Sequence, residues 1–161
     1  MMRVATITIS TSKSAGEGED KCTPALKDYV DSLGAELVGS DLIPDDREQI
    51  EQRLRHWSEP NRADVVFTSG GTGLAPSDVT PEATLAVIER EASGIAEALR
   101  LAAKDHTKYW MMSRGVAGVR GRTLIVNFPG NPKSIAECGA PLVDTLEHAM
   151  ALLIDRGDTG H

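Results

Sequence analysis

A chain of 161 residues, 40% hydrophobic and 25% charged, is long enough to bury one core, and a formal net charge of −7 is the wrong sign for a nucleic-acid backbone as principal partner. No run approaches the roughly 20 apolar residues of a membrane helix, and Met1 to Ile9 lacks the charged head and apolar run of a secretory signal. Cys22, Cys138 and the four histidines show none of the close pairings of a zinc or haem site, so two free thiols in a cytoplasmic protein are expected.

Val4 to Ile9 is short and β-branched and runs into the polar stretch Ser10 to Asp20, which suits a strand ending in a functional loop. Thr23-Pro24 then makes a cap and first-turn pair for a helix whose apolar face is Leu26, Tyr29, Val30 and Leu33, stopped by Gly34. Glu36 to Ile43 reads as a second strand. The corner Pro44-Asp45 follows it, and Asp46 with Gln49 opens a helix carrying Ile50, Leu54 and Trp57 on one face.

Val65 to Phe67 is a compact apolar run expected as a buried central strand, and it leads directly into Ser69-Gly70-Gly71-Thr72-Gly73. Thr80-Pro81 starts another helix, Gly94 to Lys104 a further one, and Val116–Val119 with Leu124–Phe128 flank Arg120-Gly121 as a hairpin. A last helix is expected from about Pro141 to Ile154. Strands alternating with helices predict one α/β domain over 1–156, a three-layer α/β/α sandwich on a mostly parallel (mixed) sheet with an antiparallel edge, followed by a flexible tail at 157–161.

Ligands of open α/β sheets collect beyond the carboxyl ends of the strands, and four unusual loops fall there: Ser10–Gly18, Pro44-Asp45, Ser69–Asp78 and Pro129–Ser134. Gly70, Gly71 and Gly73 free the backbone to turn its amides toward an anion, and the hydroxyls of Thr68, Ser69 and Thr72 add donors. The loop is either a phosphate cradle or a plain tight turn; it is not a Walker A loop, since no Lys-Ser/Thr pair follows. Asp78 either caps the helix at Thr80-Pro81 or holds a magnesium-type cation beside that phosphate. Asp45 has the same two readings, because Asp45 or Asp46 must cap the helix after it. In Pro129-Gly130-Asn131-Pro132-Lys133-Ser134, Lys133 stands near a helix amino terminus, either as an anion contact or as a solvated side chain. Ser113-Arg114 is a further candidate donor pair, with an exposed surface arginine as the commoner reading of Arg114.

These four segments, Thr68–Gly73, Asp78-Val-Thr-Pro-Glu-Ala-Thr84, Ser113-Arg114 and Pro129–Ser134, together resemble the MogA/MoaB family of molybdenum cofactor biosynthesis proteins, over about Val4 to Leu153. The chain is likewise similar to the G domain of gephyrin and its plant counterpart. The resemblance implies a molybdopterin-binding fold, a homotrimer and, in active members, Mg2+-dependent transfer of AMP from ATP to molybdopterin. It implies metal roles for Asp45 and Asp78 and phosphate or substrate contacts from Ser10, Thr68–Gly73, Ser113, Pro129, Gly130, Asn131, Lys133 and Ser134. The same resemblance implies other molybdenum cofactor biosynthesis proteins as partners. Two positions depart from the family pattern: Ser10-Thr11-Ser12 stands where adenylyltransferase-type members often carry Ser-Asp-Arg, and Ser77 stands where Arg is common. Lys13 is the candidate replacement cation. The departures keep open a second reading, a non-catalytic pterin-binding or scaffold protein of the same pathway. A nucleotide pyrophosphohydrolase of the CinA type is a weaker third, because the chain carries no second domain.

Overall fold

Six strands join in one sheet of order β2-β1-β3-β6-β5-β4 in the computed structural model, which describes residues 1–154. They are β1 Arg3–Ile9, β2 Glu36–Ile43, β3 Val65–Ser69, β4 Arg90–Glu91, β5 Ala117–Arg120 and β6 Thr123–Phe128. β1 runs parallel to β2 and to β3, and β3 parallel to β6, while β5 pairs antiparallel with both β6 and β4. The expected mixed sheet with an antiparallel edge is therefore present. β3 is buried along its whole length, as a central strand covered on both faces must be.

Successive strand residues point to opposite faces, and this alternation divides the interior in two. Val4, Val65, Phe67, Leu124, Val126 and Phe128 face one helical layer; Ala5, Ile7, Val66 and Ile125 face the other. The first layer is α2 Cys22–Ser32, α5 Ser93–Ala103, α6 Pro132–Val143 and α7 Leu146–Ile154; the second is α3 Arg47–Trp57 and α4 Thr80–Val87. One short turn of helix, α1 Thr11–Ser14, follows β1. In the first layer Tyr29, Phe67 and Phe128 pack as a trio with ring centroids 5.3–5.4 Å apart. The Tyr29 hydroxyl donates to the Gly139 carbonyl at 2.7 Å, and a Cβ on Gly139 would lie 2.5 Å from the Tyr29 ring, so α2 and α6 meet only because that position is glycine.

Several boundaries differ from the sequence expectation for identifiable reasons. The single helix expected from about Pro141 to Ile154 is two. α6 begins at Pro132, where Asn131 accepts from Lys133 N and the proline takes the first-turn place, so Pro129–Ser134 is a turn that becomes a helix. Pro141 lies inside α6, where it lacks an amide to continue the ladder, and the chain turns at Asp144-Thr145 before α7. α2 begins one residue before Thr23, with Lys21 at its N-cap; the side chain that accepts from its first amides, those of Cys22 and Thr23, is Asp20 Oδ1, and the Thr23 hydroxyl bonds Thr8 instead. Asp46 does cap α3, accepting from Gln49 N at 3.2 Å. β4 and the 3-10 turn Trp110–Met112 are too short to leave a periodic signal. The expected tail at 157–161 lies outside the described residues. Among the described residues no helix is long and apolar enough to cross a membrane.

Candidate functional site

β1, β3 and β6 all end at the same edge, and their loops pack backbone against backbone. Gly70 N donates to Phe128 O at 3.1 Å. A Cβ on Gly70, whose φ is +105°, would lie 2.2 Å from Ile9 O, and one on Gly130 would lie 3.2 Å from the Gly70 Cα. The next two glycines admit carboxylates rather than backbone. A Cβ on Gly71, at φ +67°, would meet Thr80 Oγ1 at 2.3 Å and Asp45 Oδ1 at 3.1 Å, and one on Gly73 would meet Asp78 Oδ2 at 2.9 Å. The missing side chains at Gly71 and Gly73 thus leave room for the carboxylates of Asp45 and Asp78 to approach the turn.

A cleft of two halves opens around this turn, and Gly71, Asp78 and Gly130 belong to both. The first half, about 420 Å³, is walled by Leu99 and Ala103 of α5, by Tyr109, Trp110 and Met112, and by Cys138 of α6. Polar groups meet that wall at Thr72, Ser113, Asn131 and Ser134. The second half, about 470 Å³, is lined by Ser10, Lys13, Lys21, Cys22, Asp45 and Ser69. Both volumes are within the range of small-ligand sites.

Both acidic residues are released from the helix-capping roles that the sequence left open. Asp46, not Asp45, caps α3, and α4 starts at Thr80 after Val79 with no side-chain cap. Asp78 Oδ2 instead accepts from Ala75 N at 3.0 Å, and Asp45 Oδ2 accepts from Thr11 N and Thr11 Oγ1. Among the described residues no group of three or more His, Cys, Asp or Glu converges as a metal cage. Two hard carboxylates flanking a glycine turn fit a cation that completes its shell with water and substrate phosphate, which is the habit of magnesium.

The remaining sequence candidates divide. Ser10 lines the second half while its Oγ accepts from Lys13 N to start α1, and Ser69 lines it while donating to Pro129 O. Pro129, Gly130, Asn131, Ser134, Ser113 and Thr72 line the first half. Two candidates lie elsewhere. Thr68 is fully buried one residue inside β3, where its Oγ1 accepts from Asn127 Nδ2, and Lys133 is exposed and lines neither half.

Arg114 is taken up within the protein's own hydrogen bonds. Rather than offering its guanidinium to a ligand, it donates Nε to Gly73 O, one Nη to Asp78 O and the other to Glu82 Oε1, while its amide donates to Thr72 O. It ties both ends of the glycine-to-Asp78 loop together, and its hydrogen bond holds the Glu82 carboxyl below the usual range. Asn127 was missed: buried in β6, it donates to Thr68 and Thr84 and accepts from Val116 N. An Asn inside Leu-Ile-Val-Asn-Phe was the signal, since a buried amide needs such partners. Burial pushes the Cys22 thiol up, with the neighbouring Ser69 acting the other way, and pushes Cys138 up to about 11. Both stay protonated at neutral pH, which suits cleft walls and not nucleophiles.

Residues 5–148 match the family model described as "Probable molybdopterin binding domain". The chain is 36% identical over 151 residues to the molybdenum cofactor synthesis protein cinnamon of Drosophila melanogaster, covering 92% of this chain and 25% of that protein. It is 39% identical over 138 residues to the molybdopterin adenylyltransferase of Escherichia coli K12, covering 84% of this chain and 71% of that one. The crystal structure of the molybdopterin biosynthesis enzyme MoaB from Thermus thermophilus superposes with a TM-score of 0.90 at 40% identity, covering 97% of this chain and 98% of the other.

Proposed function

The chain belongs to the molybdopterin-binding domain family, and from that premise we propose that it is a molybdopterin adenylyltransferase of molybdenum cofactor biosynthesis, using ATP and Mg2+. The observation that carries the reading is the divided cleft, whose apolar and polar halves share Gly71, Asp78 and Gly130. A flat, partly apolar pterin suits the half walled by Leu99, Trp110 and Met112, with its polar edges reaching Ser113, Asn131 and Ser134. The triphosphate suits the half that holds Ser10, Lys13 and the glycine turn. The two phosphates then meet at the shared residues.

The reaction is an in-line transfer. An oxygen of the terminal phosphate of molybdopterin forms a bond to the α-phosphorus of ATP. The bond from that phosphorus to the bridging oxygen breaks, and pyrophosphate leaves with the electron pair. Asp45 and Asp78 would hold magnesium, which supplies positive charge against the oxygens that gain negative charge. The chain's own part is to fix both phosphates against the glycine-turn amides, to keep Asp78 in place through Arg114, and to hold Lys13 at the polar half. No side-chain nucleophile is needed, in keeping with two protonated thiols. A homotrimer in the cytoplasm completes the proposal, on family resemblance.

A second reading, a pterin-binding protein without turnover, is favoured by specific residues: Thr11 and Ser12 carry neither carboxylate nor guanidinium, and Lys133 stands outside the cleft. Anaerobic incubation with molybdopterin, Mg2+ and ATP separates the two. Adenylyl-molybdopterin and pyrophosphate forming in equal amounts establishes the transferase; tight pterin binding with neither product establishes the binder.

A further inference from the structure

β1 and β2 run parallel with Ile9 opposite Ile43, and Ser10 N extends the ladder by donating to Ile43 O at 2.9 Å. Two residues beyond each end of that register lie Thr11 and Asp45, which are brought side by side although 34 positions apart in sequence. Three hydrogen bonds join them. Thr11 N donates to Asp45 Oδ2 at 3.1 Å, Thr11 Oγ1 donates to the same oxygen at 2.9 Å, and Asp45 N donates back to Thr11 Oγ1 at 3.0 Å.

The direction of each bond is fixed by chemistry. An ionised carboxylate has no proton to give, so the single hydroxyl proton of Thr11 goes to Oδ2, and its lone pair takes the Asp45 amide. One hydroxyl thus closes a ring through the Asp45 backbone and side chain and sets both torsions of that side chain. Threonine is stiff at χ1, so the brace is itself held. With Oδ2 occupied, Oδ1 accepts no hydrogen bond among the described residues and lies toward the glycine turn, 3.1 Å from where a Gly71 Cβ would stand. Asp45 therefore presents one unshared oxygen to the region that Asp78 also lines.

We propose that Thr11 is a positioning residue for Asp45: its hydroxyl orients the carboxylate so that Oδ1 faces the divalent cation and the nucleotide phosphates bound at the glycine turn. The proposal rests on the metal role of Asp45 in the reading above. It assigns a task to a position where the sequence shows only the loss of a charged group. The Thr11–Asp45 bonds are exposed to solvent, so water can replace them without unfolding the loop, and the effect falls on orientation and not on stability.

Thr11→Val removes the hydroxyl and keeps the shape; Thr11→Ser keeps the hydroxyl. Mn2+ binding in the presence of ATP and the absence of molybdopterin, followed by electron paramagnetic resonance, reads the cation directly without turnover. Thr11→Val should weaken Mn2+ about tenfold, as removal of a partner behind a metal ligand does, and raise the Mg2+ concentration for half-maximal adenylylation by a similar factor. Its melting temperature and pterin affinity should match the wild type, and Thr11→Ser should bind Mn2+ as the wild type does. Unchanged Mn2+ binding in Thr11→Val, a wild type that binds no Mn2+ with ATP, or a loss of melting temperature together with pterin affinity would each overturn the proposal. A wild type that binds Mn2+ with ATP yet forms no adenylyl-molybdopterin defeats the transferase reading alone, and weakened Mn2+ in Thr11→Val would then still support the brace.

Discussion

The two halves of the cleft meet at three residues and are built on different physics. The first half is an opening in the layer between the sheet and α5 and α6; Ala96, Leu99, Ala103 and Cys138 line it and also belong to the hydrophobic core. Its shape is therefore fixed by tertiary packing. The second half is made of loop ends, and hydrogen bonds between loop side chains and backbone fix it: Ser10 to Lys13, Asp20 to Cys22 and Thr23, and, across the β1–β2 pair, Asp45 to Thr11. Substitutions in the first half should act through contact area, and those in the second through orientation and charge.

The strongest test of this division is its shared carboxylate. Asp78→Asn removes a charge with almost no change in shape, so turnover should fall about a thousandfold while pterin affinity stays within about threefold. Product formation and isothermal titration measured on one preparation check both numbers. Pterin affinity that fell with turnover would mean the halves are not separable. Arg114→Met comes next. It removes the ties to Gly73 O and Asp78 O while keeping apolar bulk, and it leaves Glu82 without its partner. The expected result is a kcat lower by about tenfold to a hundredfold with a smaller change in KM, because the loop is held less often in the productive geometry. Steady-state kinetics read that split, and equal loss in both constants would make Arg114 a folding residue only.

Much of this architecture could be read from the chain before any coordinates. Gly70 and Gly71 announced a turn that a side chain would block, Asp46-x-x-Gln49 announced a helix start, and the apolar run at Val65–Phe67 announced a covered strand. Each is a local signal. The failures are non-local. Pro141 looks like a helix start, and only the packing of α6 against α2 and α5 shows that it sits inside one. The wall of the first half comes from α5, the 107–112 segment and α6, whose nearness no spacing encodes. Arg114 resembles a ligand-facing cation until its three acceptors are seen, and the Thr11 brace exists only because β1 and β2 pair in one register.

The apolar half gives the next effect in size. Trp110→Ala removes a large aromatic surface from the wall without touching the glycine turn. Pterin affinity should weaken about tenfold, the usual scale for truncating one aromatic contact, with KM for ATP unchanged. Titration of pterin against both proteins is sufficient. A rise in KM for ATP would show that the wall also shapes the polar half.

The smallest effect discriminates between two lysines. Lys13 lines the polar half and donates to Glu17 O at 3.3 Å, whereas Lys133 is exposed and lines neither half. A solvated cation near a phosphate adds little when screened, so Lys13→Ala should raise KM for ATP only about threefold to tenfold and leave pterin affinity alone. Lys133→Ala should change both by less than about twofold. Lys13 stands in the single turn of α1 and lies along the cleft, whereas Lys133 stands in the first turn of the twelve-residue α6, where the helix dipole opposes a cation, and lies outside both halves. A larger ATP effect at Lys133 than at Lys13 would mean that α6 moves toward the second half when nucleotide binds, and that the polar half completes itself only on binding.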